Sequence, residues 1–497
     1  MTPLVSMRHA LGDPDLFGKV LAGPTWDAWR VMLIAAMGEA LTEDERSTFT
    51  NLTGRAVEPL HRIDELWCVI GRRGGKTRAA ALLAAYLAGL VDHGDVLAPG
   101  ERGLLPIMSA SVWQAAKAFA FVSGVFHAVP ALAEMVTNET ADTISLRNGI
   151  DIECRPASYR TIRGVTAVAI IADEVAFWRS DEVSRNPDTE ILNAARPALS
   201  TTGGPLICIT SPYGKRGEVW SAYKRDFGAG GDPLILVAKA PSRVMNPSLP
   251  QKVVDRAYER DATAASAEYG AEFRSDVMGF LDAAIVDSAI DRGVIVRPPL
   301  PNLRYRSGCD PSGGARDSFT LAISHDEGDV AVLDCLIEIK PPFNPSEATA
   351  QMAAALKSYR LTRTVGDRYA AEWVVEAFKK CGIGYEHSER DRSAIYLDAL
   401  PLFTSGRVRL LDNPRLASQF ANLERRTSIG GRDRVDHGPG GHDDLCNASA
   451  LALITKVATP MVISAEVLKR SAMPTGRSRH YGQSTIDLYA LSNHDRR

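Results

Sequence analysis

Residues 66–91, LWCVIGRRGGKTRAAALLAAYLAGLV, constrain the fold of this chain more than any other stretch. Five apolar residues run without a polar break into adjacent glycines, and an alanine- and leucine-rich segment of helical character follows. A strand with no polar alternation is buried on both faces, and in a strand–helix succession that means a parallel sheet covered by helices. Adjacent glycines let backbone N–H groups turn toward an anion, and the start of the following helix adds its partial positive charge. The pattern G-x-x-x-x-G-K-[ST] for a phosphate-binding loop nevertheless puts a glycine where Ile70 stands, and Gly71 comes one place late. By itself G-G-K-T is more often a plain turn before a helix, so the assignment rests on what lies downstream. The apolar run 79–91 is shorter than the roughly 20 residues of a membrane span.

Further strands are expected at 103–109, 167–172 and 205–210, again largely apolar. In Val168-Ala-Ile-Ile-Ala-Asp-Glu174 the strand ends in two acids. That places Asp173 at the carboxyl edge of the sheet, where it can hold a Mg²⁺ shell, and leaves Glu174 to orient and deprotonate a water. The expected cradle is Gly71, Arg72, Arg73, Gly74 and Gly75. Lys76 reaches the β- and γ-phosphates, and the Thr77 hydroxyl ligates the metal. Arg72 or Arg73 can supply transition-state charge in cis or serve as a salt-bridge partner. The segment LICITSPYG, 206–214, ends a third strand in hydroxyls, so that Thr210 or Ser211 can sense the γ-phosphate.

At 497 residues the chain is long enough for two to three domains. The 45% hydrophobic and 24% charged content is that of a globular protein. A net charge of −3 creates no global field favouring nucleic acid. DNA contact would have to come from a local cluster, and 404–434, with seven arginines against three acids, is the candidate. Seven cysteines with no paired spacing, several inside apolar runs, read as buried reduced thiols and point to the cytosol. The expected division is 1–245, 246–300 as a linking subdomain, 301–460, and a flexible tail, 461–497.

The second half changes pattern. Three consecutive strands, 304–309, 319–325 and 330–339, are followed by a helix, a strand at 363–366, another helix, and a last helix from Asp443. This β-β-β-α-β-α succession is the ribonuclease-H-like order. Asp310 and Asp367 end strands, and Asp443 or Asp444 opens the last helix. Two metal ions about 4 Å apart need oxygen ligands converging from separate elements, as these would. His442 is a metal neighbour or a loop residue, and Asp317, Asp433 and Asp436 read as turn or surface acids.

The combination GRRGGKT, RTIRGVTAVAIIADEVAFW, ITSPYG, GCDPSG, VGD and GHDD resembles the large terminase subunit of tailed bacteriophages and prophages, over about residues 25–455. The resemblance implies an α/β fold, an N-terminal P-loop ATPase domain of the ASCE type joined to a C-terminal ribonuclease-H-like nuclease. Loops of this family commonly replace the early glycine and carry an arginine near the start, as Arg72 does here. It also implies ATP and Mg²⁺ as cofactors, with Mn²⁺ an alternative at the nuclease, where Asp310, Asp367 and Asp443 or Asp444 hold the metals. Arg155, Arg160 or Arg163 would act on a neighbouring subunit's nucleotide. Implied partners are double-stranded DNA, a small terminase subunit and the portal, on which the chain forms a five-fold ring, with no membrane. The implied place of action is the host cytoplasm and not the finished virion. Trp26 and Trp29 stand where the adenine-side motif belongs, without its glutamine. The nearest rival is a translocase whose second domain only grips DNA.

Overall fold

A computed structural model describes residues 2–158, 162–178, 187–315, 317–366, 372–427, 433–438 and 441–455. Besides a two-residue pair, Thr2–Pro3 with Val91–Asp92, the described strands of the N-terminal half are β1 (Glu65–Ile70), β2 (Gly103–Ser109), β3 (Val136–Glu139), β4 (Thr143–Leu146), β5 (Ile150–Pro156), β6 (Ile170–Asp173), β7 (Leu206–Thr210) and β8 (Ile235–Ala240). These eight described strands form one sheet in the order β8-β1-β7-β6-β2-β5-β4-β3. The first six are parallel, and β4 and β3 extend the edge antiparallel. One strand, β7, separates the loop-bearing strand β1 from the acidic strand β6, which is the ASCE arrangement.

Helix α1 (Asp27–Ala36), helix α2 (Lys76–Gly89) and helix α3 (Val112–Ala128) cover one face of this sheet. Every residue from Ala79 to Gly89 is buried, as expected of a helix that is apolar all round. Its alanines let it lie close to the strands, and at Gly89 an added Cβ would stand 2.6 Å from Leu132 Cδ2. After β8 the chain forms α4 (Gln251–Arg260) and α5 (Ala262–Glu268), the latter bonded to the loop after β1.

The C-terminal half contains β9 (Val277–Gly279), β10 (Ile290–Asp291), β11 (Arg306–Asp310), β12 (Phe319–Glu327), β13 (Val330–Ile339), β14 (Arg363–Gly366), β15 (Gly384–His387), β16 (Val408–Leu411), β17 (Leu423–Thr427) and β18 (Asp433–His437). Seven described strands make the main sheet, in the order β10-β16-β13-β12-β11-β14-β15. Strands β11, β12 and β13 are antiparallel, and β14 and β15 run parallel to β11. This is the ribonuclease-H-like core, with the three-strand meander and the return crossover read from the sequence. Besides a short helix at Ala283–Ser288, the described helices are α6 (Pro345–Ser358), α7 (Glu372–Lys380), α8 (Arg392–Thr404), α9 (Pro414–Ala421) and α10 (Asp444–Ile454). Helix α10 lies on β11 so closely that a Cβ at Gly308 would overlap the Ala448 carbonyl oxygen. The chain is therefore an α/β protein with both expected folds.

The halves meet at a small antiparallel sheet, β9-β17-β18. Glu424 on β17 is fully buried. It accepts a hydrogen bond from Tyr213 Oη at 2.7 Å, pairs with Arg216, and holds Arg426 at 3.1 Å. Tyr213 and Arg216 follow β7, so this ionic cluster ties the edge of the first sheet to the second half. A cavity of about 330 Å³ beside it is lined by Trp178, Tyr213, Arg216, Phe273 and Asn422 among others. All seven cysteines are free, five of them buried and Cys154 and Cys381 half-buried. Among the described residues no helix is long and apolar enough to cross a membrane.

Removing one member of a buried ion cluster costs more than the cluster contributes, because the remaining charges lose their partner. Glu424→Ala is expected to lower unfolding free energy by about 3 kcal/mol, at the low end for such a loss because the two arginines keep some solvent. Glu424→Gln is expected to fall between that variant and wild type. Equilibrium denaturation read by tryptophan fluorescence checks both.

Candidate functional site

The loop between β1 and α2 is shaped by steric exclusion. Gly75 sits at φ +87°, and an added Cβ would lie 2.8 Å from the Trp26 ring. At Gly71 a Cβ would overlap Ser242 Oγ and crowd the Tyr269 carbonyl. Trp29 Nε1 donates to the Gly74 carbonyl at 2.7 Å. The two tryptophans therefore support the loop's glycines, whatever they do toward a base. Ile70 ends β1 fully buried, with its Cγ2 against Gly74. A side chain in place of the early glycine thus points into the core and leaves the loop's path free.

The amides of Gly75, Lys76 and Thr77 have no carbonyl partner among the described residues, as is usual for a helix start that can receive an anion. Arg72 is tied by its amide to the Glu268 carbonyl and by its guanidinium to the Glu268 carboxylate at 3.1 Å. Asn246 donates to the Arg73 carbonyl at 2.8 Å. Arg73 itself has φ +63° and an exposed side chain.

Three adjacent strand ends meet at this loop. Lys76 is buried, its Nζ donating to the Ile70 carbonyl and to Ser211 Oγ, each at 2.9 Å, with Glu174 Oε1 at 3.8 Å. Burial pushes the ammonium pKa down, against the opposing pull of Glu174 and Asp173. Asp173, the last residue of β6, is buried, and its Oδ1 has no hydrogen-bond partner among the described residues. Burial first, then the neighbouring Glu174, raises its pKa to about 7, while Lys76 draws it back. An unpaired buried carboxylate oxygen is costly unless a cation meets it. The Thr77 hydroxyl also has no partner among the described residues. That pair of oxygens suits a hard divalent ion.

Glu174 occupies the left-handed region at φ 55°, ψ 45°, a strain of order 1–3 kcal/mol for a residue with a side chain. The turn is held by its amide, which donates to the Ile209 carbonyl at 2.7 Å. It aims the carboxylate at the end of β7, where the Ser211 amide donates to it at 3.2 Å and the Thr210 hydroxyl, which shares its proton with the Ser211 carbonyl at 2.9 Å, lies 3.4 Å away. Sequence reasoning offered Thr210 or Ser211 as the sensor. The structure connects both, Ser211 to the lysine and Thr210 to the glutamate.

The second cluster lies on β11 and α10. Asp310 ends β11 in a buried position, and its Oδ2 accepts from Asn447 Nδ2 at 2.9 Å. Burial raises its pKa to about 7, opposed by Asn447 and Arg392 and reinforced by Asp444 and then Asp443. Asp443 is buried at the start of α10, held by Arg392 Nη1 at 3.1 and 3.2 Å and by Tyr396 Oη at 3.0 Å. Asp444 is half-buried; its carboxylate accepts only the Ser318 amide, at 3.3 Å, among the described residues, and its carbonyl accepts from Thr320 Oγ1 at 2.8 Å. Its pKa is raised by burial and by Asp443. Asp367 and Arg160 lie outside the described residues. Among those described, no group of three acidic, histidine or cysteine side chains forms a complete metal cage. His442 is exposed.

Sequence reasoning missed Asn447, Arg392, Tyr396 and Ser318. Asn447 had a signal, since it follows Asp444 by three positions and so shares its helix face. Arg392 and Tyr396 come from α8, and Ser318 from the residue before β12. The arginine cluster at 404–434 is largely neutralised in place. Arg409 pairs with Asp291 and Glu327, Arg415 with Glu338, Arg425 with Asp433, and Arg434 with Asp436.

No protein-family model matches the chain, and no curated protein does. Solved structures similar to it include the large terminase of bacteriophage HK97, 17% identical over 79% of this chain and 91% of that one, with a TM-score of 0.34. A second is the large terminase of a thermophilic bacteriophage in complex with ADP, 14% identical over 79% and 94%, TM-score 0.34. A third is the nuclease of the thermophilic phage G20c large terminase with bound magnesium, 20% identical over 35% of this chain and 97% of that one, TM-score 0.31. These likenesses concern fold and assign no residue a role.

Gly75→Ala places a methyl at positive φ against Trp26, and is expected to cost about 1–3 kcal/mol of stability. Nucleotide affinity should fall with it. Calorimetric melting and titration with a fluorescent ATP analogue measure the two effects.

Proposed function

We propose that this chain is the large terminase subunit of a tailed phage or prophage, an ATP-driven DNA translocase and metal-dependent endonuclease. One observation carries the reading: a single chain holds a lysine, two acids and two hydroxyls at the carboxyl edge of a P-loop sheet, and an Asp310-centred acidic cluster on a ribonuclease-H-like sheet. The first is what phosphoryl transfer to water requires. The second is the half of a two-metal phosphodiesterase that Asp367 would complete.

At the first site the amides of Gly75, Lys76 and Thr77, left without carbonyl partners among the described residues, and the Lys76 ammonium bind the phosphates of ATP. Thr77 and Asp173 would hold Mg²⁺, which neutralises charge on the phosphates when bound. Glu174, fixed by Thr210 and Ser211, orients the attacking water and takes its proton. Ser211, bonded to Lys76, is placed to register the loss of the γ-phosphate. Arg73, at the open side of the loop, is the better placed of the two loop arginines to reach the nucleotide, since Arg72 is engaged with Glu268.

At the second site Asp310, Asp367 and Asp444 would hold the metals, Mg²⁺ or Mn²⁺, which activate a water and stabilise the leaving 3′-oxygen. We favour Asp444 over Asp443 because Arg392 and Tyr396 already occupy the Asp443 carboxylate. By resemblance the substrate is concatemeric double-stranded DNA, moved into a procapsid and cut at initiation and termination. The partners would be the portal and a small terminase subunit, with a five-fold ring on the portal and action in the host cytoplasm.

Lys76→Ala is expected to abolish ATP hydrolysis and spare metal-dependent nicking of supercoiled plasmid, and Asp310→Ala to do the reverse. Loss of both activities in either folded variant would contradict independent sites. Glu174→Gln should retain ATP binding and lose turnover by at least about 10²-fold, a typical general-base contribution. In a side-by-side plasmid assay, Asp444→Ala should abolish cleavage and Asp443→Ala reduce it less. An ATPase-competent chain that never cleaves DNA, alone or with its partners, would instead be a translocase with a DNA-gripping second half.

A further inference from the structure

Asn447 is the one group at the second cluster that acidity does not explain. It lies 3% exposed on α10, three residues after Asp444. Its Nδ2 donates to Asp310, and its Oδ1 is buried with no hydrogen-bond partner among the described residues. A buried amide that satisfies only one end is costly, and burying a leucine or alanine here would avoid that cost. The placement of the unsatisfied oxygen therefore calls for a reason.

The separation supplies one. A half-turn of the amide about Cβ–Cγ exchanges Oδ1 and Nδ2, since the two atoms are nearly isosteric. The atom now 2.9 Å from Asp310 Oδ2 would then be an oxygen. Neighbouring ligands of a six-coordinate Mg²⁺, each about 2.1 Å from the ion, stand about 3.0 Å apart. Two facing oxygens at that distance repel without a cation between them and become a chelating pair with one. Without metal, the N–H end holds the Asp310 carboxylate in place. With metal, the C=O end joins it.

We propose that Asn447 is a metal ligand of the second site, with its side-chain oxygen beside Asp310 Oδ2 on one divalent ion. The assignment rests on the nuclease reading above and adds a neutral ligand from α10 to the expected carboxylates. A neutral ligand lets the site gather one more oxygen without adding a further negative charge beside Asp310, Asp443 and Asp444.

The test is Mn²⁺ binding by the full-length protein without nucleotide or DNA, followed by calorimetric titration and by the electron paramagnetic resonance signal of free Mn²⁺. Wild type is compared with Asn447→Ala, Asn447→Asp and Asp310→Ala. Any ion held near Asp173 survives in Asp310→Ala, so the difference between that variant and wild type isolates the second site. Asn447→Ala is expected to weaken this component about 10–100-fold. Asn447→Asp, which keeps an oxygen and has no N–H, is expected to bind at least as tightly as wild type. It also carries the test if the alanine variant does not fold. Wild-type affinity in Asn447→Ala, with the component lost in Asp310→Ala, would overturn the ligand role and leave the nuclease reading standing. Weakening by Asn447→Asp equal to that by Asn447→Ala would reduce Asn447 to a positioning donor. Equal Mn²⁺ binding by Asp310→Ala and wild type would remove the metal site itself and the proposal with it.

Discussion

The structure depends on one constraint, that a strand buried on both faces can deliver a charged group only at its end. Inside β1, β6, β7 and β11 there is no room for a charge without a partner, and the chain fills those strands with Leu, Ile, Val, Cys and Ala or, in β11, with closely packed small residues. Where strands leave the sheet the polar groups appear: Asp173 and Glu174 at the end of β6, Thr210 and Ser211 at the end of β7, Asp310 at the end of β11, while Lys76 opens the helix that follows β1 across the loop 71–75. Parallel pairing brings the ends of β1, β7 and β6 side by side, so the glycine loop 71–75 is the one connection needed to bring Lys76 to the other two. In the second half the same rule gives Asp310 to the carboxyl edge, and helix α10 supplies the rest from its first turns.

Both sites keep their carboxylates partly buried, and in both the cost is visible as a raised pKa at Asp173 and Asp310. Neither is compensated by a direct salt bridge. Lys76 is nearer to Glu174 than to a bond with Asp173, and Arg392 is spent on Asp443. Carboxylates held short of full compensation are what a site for a divalent cation requires, because an ion pair already complete would compete with the metal. The Glu424 cluster is the contrast. There the buried acid is fully paired, by Tyr213, Arg216 and Arg426, and its role is to hold the halves together. The segment that carries Thr210 and Ser211 into the first site also carries Tyr213 and Arg216 into this contact, within six residues of chain.

Much of this was legible in the sequence. The parallel sheet follows from the unbroken apolar runs, the meander from three strands joined by short turns, and the loop from its glycines. Strand limits moved by one to three residues, and the shifts mattered, since β6 and β11 include Asp173 and Asp310 themselves. What was not legible depends on contacts across long sequence separations. Nothing local marks Trp29 as a donor to the Gly74 carbonyl, or Ser242 as the reason Gly71 must be glycine. Arg409 and Arg415 contribute to an apparent basic patch because their acids, Asp291, Glu327 and Glu338, lie elsewhere in the chain.

The sequence by itself determined the two fold classes, the glycine turn between β1 and α2, and the placing of Asp173, Glu174 and Asp310 at strand ends, because strand burial, helix starts and glycine turns are read from neighbouring residues. Only the tertiary structure decided which hydroxyl meets Lys76 and which meets Glu174, that Arg392 and Tyr396 take up Asp443 while Asp444 stays free of them, and that Asn447 faces Asp310. Those choices are made where elements far apart in the chain come within hydrogen-bond distance, and periodicity along a single element carries no information about them.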